Sequence, residues 1–168
     1  GSAFGPYPGH LIAIGGALYF AGNDGAHGIE FWKSDGTAQG TVMLADVRTG
    51  SMSSYVSNIF EFGGSIYFAA ADAITGWGLW KLDPISTQTV LISDTSLAIN
   101  SGSSSVILGE VSGKLVYKAH GANGFIGLWS SGRSPNNPSL LLDDIDPIFD
   151  TKIVGNKLFW NDVHGHLW

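Results

Sequence analysis

Leu11-Ile12-Ala13-Ile14, Gly15-Gly16, Ala17-Leu18-Tyr19-Phe20-Ala21 reads as two apolar strands folded back about a two-glycine turn. Glycine pairs between apolar runs are strong hairpin signals, because both turn positions accept positive φ. The pattern returns three times. Ile59 to Phe62, Gly63-Gly64 and Ser65 to Ala70 form the second copy. Val106 to Val111, Ser112-Gly113 and Lys114 to Ala119 form the third; Lys152 to Val154, Gly155-Asn156 and Lys157 to Asn161 form the fourth. A tryptophan follows each hairpin: Trp32, Trp80, Trp129 and Trp168, at spacings of 48, 49 and 39 residues. A period of this size marks a repeat architecture.

Two more strands complete each unit. They read Ile29 to Lys33 and Thr41 to Asp46, then Gly78 to Leu82 and Thr89 to Asp94, then Ile126 to Ser130 and Ser139 to Asp144. The fourth unit reaches Gly165-His166-Leu167-Trp168. The first strand of each unit is nearly all apolar, which predicts burial on both faces. Four antiparallel strands repeated every 40 to 50 residues satisfy the requirements of a β-propeller blade. The expected fold is all-β, one repeat domain over 1–168. Its blades lie near 11–47, 59–95 and 106–145, with an incomplete fourth at 152–168. A β-sandwich or up-and-down barrel would hold as many strands but needs no repeat. Residues 1–10 are placed to lend the fourth blade its outer strand, although Pro6 and Pro8 confine that segment to an edge. Otherwise a second chain or further blades would be needed to close the ring.

The turn of the first unit, Glu30-Phe31-Trp32-Lys33-Ser34-Asp35-Gly36-Thr37-Ala38-Gln39-Gly40-Thr41, resembles the Glu-Leu-Trp-x-x-Asp-Gly-Thr-x-x-Gly-Thr repeat of large secreted or surface-displayed bacterial proteins. The second unit keeps Leu79-Trp80-Lys81, Asp83 and Thr89, and the third keeps Leu128-Trp129. The resemblance implies propeller blades, an extracellular or cell-surface location and a role in surface interaction. It brings no catalytic residues.

Composition narrows the partners. The net charge is −6 and the eight Lys and Arg stand singly, so nucleic acid and anionic membrane lack a basic patch to bind. No cysteine is present, which removes disulfides, thiolate metal sites and a cysteine nucleophile. No apolar run approaches a membrane span, and no signal-peptide pattern is visible. Gly1-Ser2 reads as a cloning scar, consistent with a removed leader.

The recurring residues read as structural. Asp35 and Asp83 open turns three residues after their tryptophans; Asp46, Asp94 and Asp144 close fourth strands. All five are expected to accept backbone hydrogen bonds. Trp32, Trp80, Trp129 and Trp168 are expected as wedges between blades. Tyr7 and Tyr55 align just before a first strand, which predicts a structural role for both. Topology sorts the long links onto one face, where ligand-binding residues accumulate. The candidates there are Trp77, Phe125, His27, Asn123 and Asp24. His27, His120, His164 and His166 lie near these loops but come from different units. No metal site is assigned. Calcium is the one cofactor the acidic loops allow, through Asp24 in Asn23-Asp24-Gly25 or Asp144 and Asp146 beside Asp143 and Asp150. No hydrolase elbow, zinc-protease helix or phosphate loop occurs, so no catalytic residue is assigned. The expected function is a non-catalytic binding or adhesion module for glycan or protein. Two alternatives stand beside it: a carbohydrate-active enzyme with Glu61 and Glu110 in a central channel, and a self-assembly domain that completes a propeller with a second chain.

Overall fold

The computed structural model describes residues 11–94, 106–120, 126–132, 139–142, 150–161, 164 and 166–168; at 93, 94, 106, 120 and 150 it describes backbone alone. The described residues are all-β, with fourteen strands and no helix. Sheet 1 runs β1 (Leu11–Ile14), β2 (Ala17–Asn23), β3 (Ile29–Ser34), β4 (Val42–Ala45). Sheet 2 runs β5 (Ser57–Phe62), β6 (Ser65–Ala71), β7 (Trp77–Leu82), β8 (Thr89–Asp94). Sheet 3 runs β9 (Val106–Val111), β10 (Lys114–His120), β11 (Ile126–Ser131), β12 (Ser139–Leu142). Sheet 4 pairs β13 (Asp150–Val154) with β14 (Lys157–Asn161). Every pairing is antiparallel between sequence neighbours, as short turns dictate. Gly15-Gly16 and Gly63-Gly64 both take positive φ, and in the third unit Ser112 does so beside Gly113.

The repeat is visible in the register. Phe20 faces Trp32, Phe68 faces Trp80, and Tyr117 faces Trp129 across equivalent strand pairs. Trp80 Nε1 donates to Ala70 O at 3.2 Å and Trp129 Nε1 to Ala119 O at 3.1 Å, the same offset in two sheets. At that position sheet 1 has Gly22, where an added Cβ would come within 2.9 Å of the Trp32 ring. A register shift falls just before the tryptophan in all three complete sheets. Such a shift bends the strand locally and raises its twist. In sheet 4 the amide and carbonyl of Trp160 bond the carbonyl and amide of Trp168, so Trp168 takes the repeat register. Trp168 is 61% exposed, next to the isolated Asn161–Leu167 bridge.

The core lies between sheets, as each sheet buries its faces against neighbours. Tyr19, Ala21 and Phe31 of sheet 1 meet Ile66, Phe68, Ala70 and Leu82 of sheet 2. The Phe31 and Phe68 rings stack at 4.5 Å. The other face of sheet 2 gives Phe62, Tyr67 and Leu79 to Leu115, Tyr117 and Ala119 of sheet 3. Burial of its hydroxyl pushes the Tyr67 pKa up. The first strands of successive sheets lie side by side, β1 with β5, β5 with β9 and β9 with β13.

One expectation fails here. The first strands are not buried on both faces: β1 alternates exposed and half-buried, and β5 is mostly half-buried. The second and third strands hold the core instead, because sheets stack face to face there. Outer strands differ too. Leu44 of β4 and Ile92 of β8 pack against these cores, whereas β12 is exposed along its length.

Candidate functional site

Three connecting segments converge where sheets 1 and 2 meet: 24–28, 46–56 and 72–76. Ser54 holds them together. It is fully buried, donates its amide to Ile29 O at 3.0 Å and its hydroxyl to the same carbonyl, and accepts from the Ala71 amide at 2.8 Å. Ser53 Oγ takes the Ile29 amide. Glu30 completes the anchor. Its side chain is fully buried, accepting from Val47 N at 2.8 Å and Ser54 N at 3.0 Å. Burial pushes the Glu30 pKa above its ordinary value, although the Ser54 and Val47 donors oppose the shift. Gly28, at φ +73, lets the Met52–Ser53 backbone approach; a Cβ there would sit 2.7 Å from Met52 C.

Each flanking loop is capped by an aspartate at the same repeat position. Asp24 Oδ1 accepts from Ala26 N and His27 N, and Oδ2 meets His27 Nδ1 at 2.7 Å. These bonds hold the Asp24 carboxyl well below the usual range, and the Asp24 partner raises His27. Asp72 accepts from the amides of Ile74, Thr75 and Gly76 and from the Thr75 hydroxyl. Burial opposes its ionisation, yet the Thr75 and Ile74 amides win and its pKa is lowered.

On this frame stands an aromatic pair. Tyr55 and Trp77 have ring centroids 6.3 Å apart, tilted by 31°. Tyr55 is 55% exposed and held at φ 55, a left-handed conformation that costs a side-chain-bearing residue about 1–2 kcal/mol. Its neighbours Ser54 and Val56 are buried, while Tyr55, at positive φ, is exposed. Trp77 is not a loop residue; it opens β7 opposite Ala71. Met52 is 59% exposed and Ile74 93% exposed on the same segments.

Asp35 and Asp83 are turn acceptors as expected. Asp35 Oδ1 takes the Thr37 amide and hydroxyl, Thr37 Oγ1 takes the Gly40 amide, and the Thr41 hydroxyl donates to Thr37 O. The Thr37 hydroxyl and amide lower the Asp35 pKa. Asp83 takes the Ile85 and Ser86 amides, and these lower its pKa. Asp46 departs from this role: its Oδ1 is buried with no hydrogen-bond partner. Asp94 ends β8 opposite Gly78 in backbone register. Phe125, Asn123, Asp143, Asp144, Asp146 and Tyr7 lie outside the described residues, as does the His120 side chain. The His164 and His166 rings lie 5.9 Å apart. Among the described residues no group of three or more His, Asp or Glu is placed to hold a metal.

A cleft of about 280 Å³ opens between the first strands, lined by Leu11, Ile12, Asn58, Ile59, Phe60 and Ile107. Glu61 and Glu110 are not among its lining residues. Glu61 is exposed and its Oε1 accepts from Gly64 N, closing its own hairpin. Sequence reasoning missed Glu30, Ser54 and Asp72. Aligning on the tryptophans places Asp24 and Asp72 at one repeat position, and that signal would have found both caps. Comparison with family models and with curated proteins finds no match for this chain.

Proposed function

We propose that the sheets are blades of a β-propeller. On this reading the chain is a non-catalytic binding module of a secreted or surface-displayed bacterial protein, taking glycan or protein on the face that carries Tyr55 and Trp77. The propeller reading is supported by the meander order, the stacked sheets, the first strands side by side around a cleft, and the bulge repeated before each tryptophan. The resemblance of Glu30–Thr41 to the surface-protein repeat supports the location. The cleft's lining includes neither Glu61 nor Glu110, and Glu61 is engaged with its own turn, which favours binding over glycosidic chemistry.

One observation carries the function. Tyr55 occupies a costly backbone conformation, and what that conformation achieves is an exposed ring beside Trp77. Strain of this kind concentrates at ligand sites. The test is Tyr55→Ala and Trp77→Ala against wild type on arrays of oligosaccharides and peptides. Loss of the bound class in both variants, with circular dichroism unchanged, is expected. Binding that survives both substitutions refutes the site.

A second reading, a self-assembly domain, is favoured by the exposure of Leu140, Leu141 and Leu142 on β12. Light scattering on a sizing column separates it: a mass near twice 17.7 kDa supports assembly.

A further inference from the structure

The chemistry around the aromatic pair distinguishes between the two ligand classes. We infer that the Tyr55–Trp77 face takes a polypeptide segment with an apolar anchor flanked by Lys or Arg, an inference that rests on the binding reading above. A sugar-binding platform needs polar side chains ready to bond hydroxyls at the rim of its rings. Here the carboxylates of Asp24 and Asp72 and the hydroxyls of Ser53 and Ser54 are committed internally. The Asp72 carboxylate serves Ile74, Thr75 and Gly76; both Asp24 oxygens serve their own loop; Ser53 and Ser54 serve Ile29.

What the face does present outward is Met52, Tyr55 and Ile74, with Trp77 alongside. Tyrosine, tryptophan and methionine are the residues enriched in protein–protein contacts, where a few of them supply most of the affinity. The charge around them is acidic. Asp24 is paired with His27, which leaves Asp46 and Asp72 against Arg48 on these segments, in a chain of net charge −6. A carboxylate bonded to backbone amides keeps its negative field, so it attracts a cationic partner without offering a lone pair. The apolar centre and acidic rim together fit an apolar residue between basic ones.

The probe is a library of random dodecapeptides displayed on phage, selected on the immobilised full chain. A panel of neutral oligosaccharides is screened in parallel. Expected is enrichment of sequences with an aromatic or aliphatic residue between Lys or Arg. The best of them, made synthetically, should lose at least about tenfold in affinity to Tyr55→Ala, and as much to Ile74→Lys. Ile74 is a loop tip with nothing of the fold resting on it, so that variant isolates binding from stability. Affinity should also fall several-fold between 50 and 500 mM salt, as screening of opposite charges requires. Enrichment of acidic or uncharged peptides overturns the inference, as does an affinity indifferent to salt. Oligosaccharide binding that Tyr55→Ala abolishes overturns the inference and leaves the site standing. Binding that Tyr55→Ala and Ile74→Lys both leave intact, or no binding by either library, overturns inference and site together.

Discussion

Replacing Glu30 tests the frame that positions the site. Its fully buried carboxylate accepts from Val47 N and Ser54 N. Ser54 N also reaches Ile29 O, so Glu30→Ala orphans one part-buried amide, Val47 N, and weakens a second that is buried. An orphaned buried donor costs about 1–3 kcal/mol, and the cavity adds to it, while relief of the buried charge returns part. A net loss of about 3 kcal/mol is expected, which for a domain of this size lowers the melting temperature by about 10 °C. Glu30→Gln keeps the shape but presents its NH₂ to one of two N–H donors, so about 1 kcal/mol is lost at neutral pH.

The pH dependence gives the sharper check. Burial raises the Glu30 pKa in the folded state above its ordinary 4.5. As pH rises from 4.5 toward the folded value, the unfolded chain releases its proton first. Wild type therefore loses stability through that window, and Glu30→Gln does not. Urea unfolding of both proteins at pH 4 and pH 7.5, followed by circular dichroism, should show the wild-type advantage shrinking at the higher pH. The reasoning fails if Glu30→Ala lies within about 0.5 kcal/mol of wild type, or if the advantage grows with pH.

Three further outcomes are expected. Gly40→Ala places a methyl on the Asp35 carboxylate, so the turn must open at a cost of about 1–3 kcal/mol, read by thermal unfolding; an unchanged midpoint would show the turn to be slack. The His27 ring should titrate above its ordinary 6.5 by NMR, and Asp24→Asn should bring it down; its support of the 24–28 loop is full below that value and fades as pH rises through the raised one. Tyr55→Gly relieves about 1 kcal/mol of backbone strain and forfeits a ring contact worth about 0.5–1.5 kcal/mol. Unfolding free energy should thus move by less than about 1 kcal/mol, and a loss well beyond that would make Tyr55 structural.

Strand positions were legible because turn chemistry is local. Gly15-Gly16 and Gly63-Gly64 mark their hairpins without reference to the rest of the chain, and strands such as Leu11–Ile14, Thr89–Asp94 and Val106–Val111 fall where the sequence places them. Burial was less legible, since it depends on what packs above each strand. The apolar run Leu11–Ile14 looks buried yet borders an open cleft. The site was legible in part. Trp77 stood out because no other unit has its equivalent, whereas Tyr55 was hidden by its apparent match to Tyr7. Its positive φ follows from the anchoring of Ser54 and Val56, a tertiary fact that no local pattern carries. Glu30 stood inside a recognisable motif, but a glutamate within a strand gives no sign that it will be buried with two amide donors.

The placement of the aromatic pair follows from a departure within the repeat. Aligned on the tryptophans, the position of Glu30 is Gly78 in the second unit and Gly127 in the third. At Gly127 a Cβ would lie 2.8 Å from Leu140 Cδ1 and 2.9 Å from Trp129 Nε1, so a glutamate cannot be accommodated there without repacking. Only the first unit, then, has a carboxylate inside to grip the link to its neighbour. That grip fixes Val47 and Ser54, and Ser54 in turn ties sheet 1 to the end of β6. With both flanks fixed, the intervening chain has little freedom, and Tyr55 is carried into a conformation it would not choose alone. The common features of the units, tryptophan register, bulge and hairpin, build a scaffold that is the same from sheet to sheet. Glu30, the one fully buried carboxyl group among the described residues, selects the junction of sheets 1 and 2 as the place where that scaffold can hold a strained, exposed aromatic residue.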